Sequence, residues 1–152
     1  MFEIRMDDLS GAPTRSLLAF HLAGMQANSP QGSVFALDFS GLQVPEVTVW
    51  TAWHVNRVVG VGALKQLSTH MGEVKSMRTH PDFLRQGVAG ALLDRILAEA
   101  RARKLTHLGL ETGSGPIFDP ALALYRKRGF VDGEAFAGYE KSAFNQFLHL
   151  TL

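Results

Sequence analysis

The stretch HPDFLRQGVAGALLDRIL, residues 80–97, contains a change of period on which the reading of the whole chain turns. Before it, Glu73 to Thr79 alternates as a strand does. After it, Val88, Leu92, Ile96 and Ala100 form an i, i+4 row that Leu93 and Leu97 widen into an apolar face, which predicts a helix from Gly87 to about Arg103. Positions 87, 89, 90 and 91 hold Gly, Ala, Gly and Ala, small residues that leave the unpaired N–H groups of a helix start open to an anion, and Arg85 adds charge. Glycine also serves plain turn geometry, and neither a GK[ST] nor a GxGxxG pattern is present. On the residues alone, the anion site and the plain turn both stay open.

Upstream, a period of two places Glu73, Lys75 and Met77 on one side of a sheet and Val74, Ser76 and Arg78 on the other. Val47–Val55 and Val58–Leu67, rich in Val, Thr and Trp, predict an antiparallel hairpin joined at Asn56-Arg57. From Pro13 to about Asn28, Leu17, Leu18, Leu22 and Met25 recur at helical spacing, and Phe2–Met6 alternates as an edge strand would. Between them and the hairpin, Gly32–Pro45 reads as a loop with a short element, where Phe35, Leu37 and Phe39 alternate briefly. Downstream, Leu105–Glu111 is a strand and Asp119–Arg128 a short helix with Pro120 in its first turn. Gly129-Phe130 ends that helix before another strand, and the apolar tail Gln146–Leu152 is the last one. The order is α/β with a mixed sheet, in a single domain spanning residues 1–152.

Composition narrows the function. The chain has 152 residues, 46% hydrophobic and 19% charged, within the range of one domain able to bury a core. Its net charge is +1, with four basic and five acidic residues up to position 70 and eleven and nine after it, so no basic stripe for nucleic acid stands out. The dense basic run Arg101–Lys104 falls where the helix ends, a place that favours cations. No stretch has the length of a membrane span and the start lacks a signal pattern, so a cytoplasmic protein without nucleic-acid or membrane partners is expected. There is no cysteine, hence no thiolate nucleophile. The six histidines, at 21, 54, 70, 80, 107 and 149, never take metal-ligand spacing, and no metal is expected.

HPDFLRQGVAGALLDRIL resembles motif A of the GNAT acetyltransferases, a turn of the form Arg/Gln-x-x-Gly-x-Gly/Ala that grips the CoA pyrophosphate. Gly87 and Ala89 match its last two positions, whereas the first is Leu84, with Arg85 one place later. Farther on, ALALYRKRGF, residues 121–130, matches the family's A-x-x-L-Y-x-x-x-G-F pattern, with Phe118 where an Asn often precedes it. The stretch EVKSMRTHP through LETGS to YRKRGF also looks like a bacterial subgroup of largely uncharacterised acetyltransferases. The likeness covers residues 73–130 and implies a mixed, mostly antiparallel central sheet flanked by helices, with acetyl-CoA as cosubstrate. It further implies that Arg85, Gln86, Gly87, Val88, Ala89, Gly90 and Ala91 hold the pyrophosphate, and that the backbone of Ser76, Met77 and Arg78 pairs with the pantetheine arm. The Met77 N–H would then polarise the thioester carbonyl.

Tyr125 matches the family's tyrosine near the CoA sulfur and is the candidate to protonate the leaving thiolate, with a core tyrosine as the alternative. The acceptor amine must be neutral to attack, and Glu73 is the candidate to remove its proton, directly or through water. The alternative for Glu73 is a solvated strand-end carboxylate. Glu111 and Thr112, with Ser114, end a strand at the expected active-site edge, where they are candidates for substrate binding or simply for capping. Phe136, Tyr139 and Phe144 either line an acceptor pocket or fill core. The apolar run Phe144, Phe147, Leu148, Leu150 and Leu152 suggests a homodimer through the last strands. Two functions stay open: transfer of an acetyl group to a primary amine of a small molecule or peptide, and a catalytically weak CoA-binding module. Tyr125 and Glu73, which a module does not need, favour the enzyme.

Overall fold

The computed structural model describes residues 2–32 and 39–152. The expected alternation at Phe35 and Leu37 falls outside those residues. Seven strands form one sheet: β1 (Glu3–Asp7), β2 (Val47–His54), β3 (Arg57–Gln66), β4 (Met71–Thr79), β5 (His107–Thr112), β6 (Val131–Gly133) and β7 (Gln146–Thr151). Their spatial order is β1-β2-β3-β4-β5-β7-β6. Every neighbouring pair is antiparallel except β4 and β5. The α-helices of the described residues are α1 (Ala12–Asn28), α2 (Phe39–Leu42), α3 (Val88–Ala102) and α4 (Asp119–Lys127). The mixed, mostly antiparallel α/β sheet expected from the sequence is therefore present.

Two cores sandwich the sheet. On one face Trp50, Ala52, Leu64, Val74, Leu108, Leu110 and Leu148 pack with the apolar side of α3 and with Leu122 and Tyr125 of α4. On the other, Val49, Val61 and Ala63 pack with Leu17 and Leu18 of α1 and with Leu42 of α2. The helix α3 lies tight on β3 because position 60 has no side chain: a Cβ on Gly60 would come within 2.5 Å of Val88 Cγ1. The β2–β3 turn is Val55-Asn56, one residue earlier than the sequence suggests, and Val55 takes a φ of 56° to make it. At the far end of α3, Arg103 donates to Glu99 Oε2 at 2.8 Å and to Thr48 Oγ1 at 2.8 Å, so this member of the basic run ties the helix to the sheet.

The apolar tail is consumed inside the subunit. β7 is an interior strand paired with both β5 and β6, and Phe147 and Leu148 are buried. Phe144 packs edge-on against Phe118 at 5.5 Å, and Leu150 and Leu152 rest on the α3-side core.

Candidate active site

Two irregularities in β4 shape the site. Its parallel ladder with β5 runs through Met71↔His107, Gly72↔Leu108 and Glu73↔Gly109 and stops there. Beyond Glu73 and Gly109 the two strands part, leaving the later half of β4 without a strand partner on that side among the described residues. The second irregularity is a bulge toward β3: Val61 pairs with Arg78 but Ala63 with Lys75, so β4 carries one residue more than the strand it faces. Ser76 absorbs it with a φ of 58°, a left-handed conformation unusual for a residue with a side chain.

The bulge overturns the alternation expected from a regular strand. Glu73, Lys75 and Arg78 face α1, each opposite a β3 residue on that side, while Met77 has turned to the α3 face, where its sulfur lies 2.6 Å from where a Cβ on Gly62 would be. The period of two fails because one inserted residue shifts every side chain after it. Ser76 itself is buried at the bulge, and its hydroxyl has no hydrogen-bond partner among the described residues.

On the α1 face the charged residues form a compact network. Glu73, only 2% exposed, accepts from Lys75 Nζ at 3.0 Å and from the Tyr139 hydroxyl at 2.5 Å, both on Oε2. Lys75 Nζ in turn lies 2.6 Å from the Tyr139 oxygen. Glu73 is therefore not a solvated strand-end group. Burial and the Glu73 carboxylate hold the Tyr139 phenol well above the ordinary tyrosine range, so it stays a donor. Glu111 joins the network from β5. Burial, with some help from the Glu73 charge, pushes its carboxyl up to about 7, against the opposing pull of Lys75 and of a hydrogen bond from Asn145. Phe136 and Tyr139 cover this part of the face: Phe136 stacks edge-on with Tyr139 and with Phe147, and Tyr139 lies tilted against Phe147.

The other candidates fall elsewhere. Thr112 pairs with Gln146 one register step from the Glu111↔Phe147 pair, which puts it on the opposite face of β5 from Glu111. Tyr125 is 6% exposed in the α3-side core, edge-on to Phe130 at 5.9 Å, and desolvation keeps its phenol firmly protonated. Tyr125 and Glu73 therefore lie on opposite faces of the sheet. Among the described residues no group of three or more His, Asp or Glu is placed to hold a metal.

The turn into α3 fits a phosphate. Gly87 is the N-cap with a φ of 89°, and a Cβ there would meet nothing within 4 Å, so the space above the helix start is open. The N–H groups of Val88, Ala89 and Gly90 have no partner within the helix, whose first bond runs from Ala91 N to Gly87 O. Arg85 is exposed beside them with a φ of 61°. The remaining members act differently: the Val88 side chain is buried core, Gln86 Nε2 bends back to Asp82 O at 3.4 Å, and Gly90 makes room for Arg128 of the α4 end.

Lys75, Asn145 and His21, which bonds Arg78, were not reached from the sequence. The spacing of Lys75 from Glu73 was its only local signal. Asn145 and His21 come from a distant loop and from α1.

Comparison with known proteins agrees with this geometry. The model of the Acetyltransferase (GNAT) family matches residues 15–130. The chain is 45% identical over 152 residues to the uncharacterized N-acetyltransferase YedL of Escherichia coli (strain K12), covering 100% of this chain and 96% of that one. A solved Klebsiella pneumoniae structure assigned as an acyl-CoA N-acyltransferase is 28% identical with a TM-score of 0.84, over 100% of this chain and 98% of that one. A GNAT family acetyltransferase from Elizabethkingia anophelis with acetyl-CoA bound has the same fold, with a TM-score of 0.75 at 16% identity over 99% and 98% of the two chains. With a helix start open to phosphate, a β4 edge released by β5 and a matching family model over most of its length, the chain belongs to the acetyltransferase (GNAT) family and is an acyl-CoA N-acyltransferase.

Proposed function

We propose that this chain is a cytoplasmic, single-domain enzyme that acetylates a primary amine of a small molecule or peptide by direct attack in a ternary complex. The observation that carries the reading is the coincidence, at one point of β4, of the end of the β5 ladder, the Ser76 bulge and the Glu73–Glu111 network. Acetyl-CoA, when bound, supplies an activated acetyl group. The N–H groups of residues 88–90 hold its pyrophosphate with Arg85 nearby, and the backbone of Ser76, Met77 and Arg78 takes the pantetheine arm along the released edge. The unpartnered Ser76 hydroxyl supports that placement, since a buried hydroxyl left unpaired costs stability that a polar ligand recovers.

Proton traffic is divided between the two faces. As the amine nitrogen bonds to the acyl carbon, the carboxylate pair Glu73–Glu111 accepts its proton. Glu73 is fixed by Lys75 and Tyr139, and Glu111, with its carboxyl near 7, has the proton affinity the task requires at neutral pH. As the C–S bond breaks, Tyr125 gives its proton to the sulfur from the α3 side. Glu111 thus takes a larger part than substrate binding, while Thr112 is left to the far face. A homodimer would draw on the half-buried Phe144, Leu150 and Leu152 of the tail or on the edge strands β1 and β6, and light scattering reads it directly.

The test is thiol release from acetyl-CoA across an amine panel, with thermal melts alongside. At a concentration 100 times Kd, acetyl-CoA should stabilise the protein by about 2.7 kcal/mol, and Gly87→Val should abolish the shift by filling the open space and straining a positive φ. Melts unmoved by millimolar acetyl-CoA would sink the assignment.

A further inference from the structure

Arg78 leaves the bulge on the α1 face and meets a helix with no acidic residue: APTRSLLAFHLAGMQAN. Its Nε donates to His21 Nδ1 at 3.0 Å, Nη2 lies 3.5 Å from the His21 carbonyl oxygen, and the guanidinium carbon sits 5.5 Å from the centre of the Phe20 ring. None of these partners is negative. His21 is 6% exposed, and burial, with the adjacent Arg78 charge, lowers its pKa to about 4, so at neutral pH it is an uncharged acceptor that positions Arg78 without balancing it. Arginine cannot shed its proton to relieve the cost of being half-buried. Among the described residues no carboxylate pairs with Arg78, whereas Arg5, Arg57, Arg95, Arg103, Arg126 and Arg128 each have one.

The surroundings say which anion would suit. Lys75 and Arg78 lie opposite Ala63 and Val61, two residues apart on β3 and hence roughly 7 Å along the sheet. Lys75 and Glu73 neutralise one another, so the groups left over on this face are the Glu111 carboxyl at one end and the Arg78 guanidinium at the other, with the bulge between. Such polarity matches a small molecule whose amine and carboxylate are a few bonds apart. Phe20, against whose ring the guanidinium lies, also lines a cavity of about 410 Å³ between α1 and the β2–β3 turn, together with Leu17, Val58 and His80.

We infer that the acceptor belongs to the amino-acid class, and that Arg78, positioned by His21, binds its carboxylate through the guanidinium hydrogens that His21 leaves unused while the amine points to the bulge. The inference rests on the acyltransferase reading and adds the acceptor's chemistry to it. A planar fork on a carboxylate gives paired, charge-assisted hydrogen bonds that neither a carboxamide nor a bare alkylamine can return.

The experiment compares free amino acids with their carboxamides at matched free-amine concentration, by thiol release and by thermal shift with CoA present. The wild type should favour the acids about tenfold or more in kcat/KM. Arg78→Met should lower kcat/KM for the acids by about 10- to 100-fold, chiefly through KM, and erase the preference. The readout is the ratio of acid to carboxamide kcat/KM measured on the same variant, which should fall to about one in Arg78→Met, with Arg78→Lys, a point charge without the fork, in between. Should Arg78→Met fail to fold, the wild-type comparison of acid with amide still decides. Equal use of acid and amide, binding of neither, or an Arg78→Met defect confined to acetyl-CoA KM overturns the inference. A persisting acetyl-CoA melt shift in those cases spares the acyltransferase reading, and its loss removes both.

Discussion

The two faces of β4 are made by opposite means from one strand of nine residues. Toward α3 it presents Val74 and Met77 to a core of Leu, Ile, Trp and Phe side chains. Toward α1 it presents Glu73, Lys75 and Arg78 to a tyrosine, a histidine and a second carboxylate. The first face is held by area removed from water, an effect without direction that tolerates no gaps. The second is held by a few directed bonds that are worth having only if every partner is in place. The stability of the molecule should therefore reside on one face, and its proton chemistry and acceptor choice on the other.

The strongest way to break that division is at the α3 face. Leu92 is fully buried at the centre of the helix row, and Leu92→Ala should cost about 2–5 kcal/mol in urea or thermal unfolding. Surviving folded enzyme should keep its pH profile, since no charged group of the network touches that position. A loss under 1 kcal/mol, or a moved profile, would erase the contrast between the faces.

Tyr125 is the exception to the division, because it lies in the apolar core yet is assigned a chemical step. Tyr125→Phe should lower kcat by roughly 10- to 1000-fold while acetyl-CoA binding and stability change little. Near-normal kcat with the best amine found would return the phenol to a packing role.

The smallest effect, and the one that sharpens the α1 face most, is expected from Glu111→Gln. In the wild type kcat/KM should rise with an apparent pKa near 7 as Glu111 ionises, well below the limb of a primary alkyl amine near 10.4. The variant should lose that limb. Stability supplies an independent check: the folded carboxyl titrates near 7 and the unfolded one near 4.5, so the folded state holds the extra proton between them. Its contribution is complete below the unfolded value and is lost as pH rises through 7. Glu111→Gln should flatten that decline, so that its melting temperature gains on the wild type between about pH 5 and 8.

The same contrast explains what could be read from the sequence. The row Val88, Leu92, Ile96, Ala100 announces α3 and is buried in full, because apolar periodicity and burial are one fact seen twice. The small residues from Gly87 onward announce an open helix start for a similarly local reason. The charged face has no such rhythm. Glu73 was found by its neighbourhood to a motif, but Asn145 and His21 are brought in by long-range folding, and nothing near them in sequence marks them. The facing of Met77 and Arg78 departs from strict alternation because a bulge adds a residue without a signature: Ser76 resembles any strand residue in sequence, and only its backbone sets it apart. Thr112 was grouped with Glu111 by adjacency, although neighbours on a strand face opposite ways.

The bulge at Ser76 behaves as a frameshift written in space rather than in a gene. Side chains before it and after it are out of phase, so taking the residue away would not merely shorten a strand: it would exchange a methionine of the core for an arginine of the site. Core and site are thereby locked to one another through a single position, and a lineage could alter the acceptor pocket by substitution far more readily than by changing the length of β4.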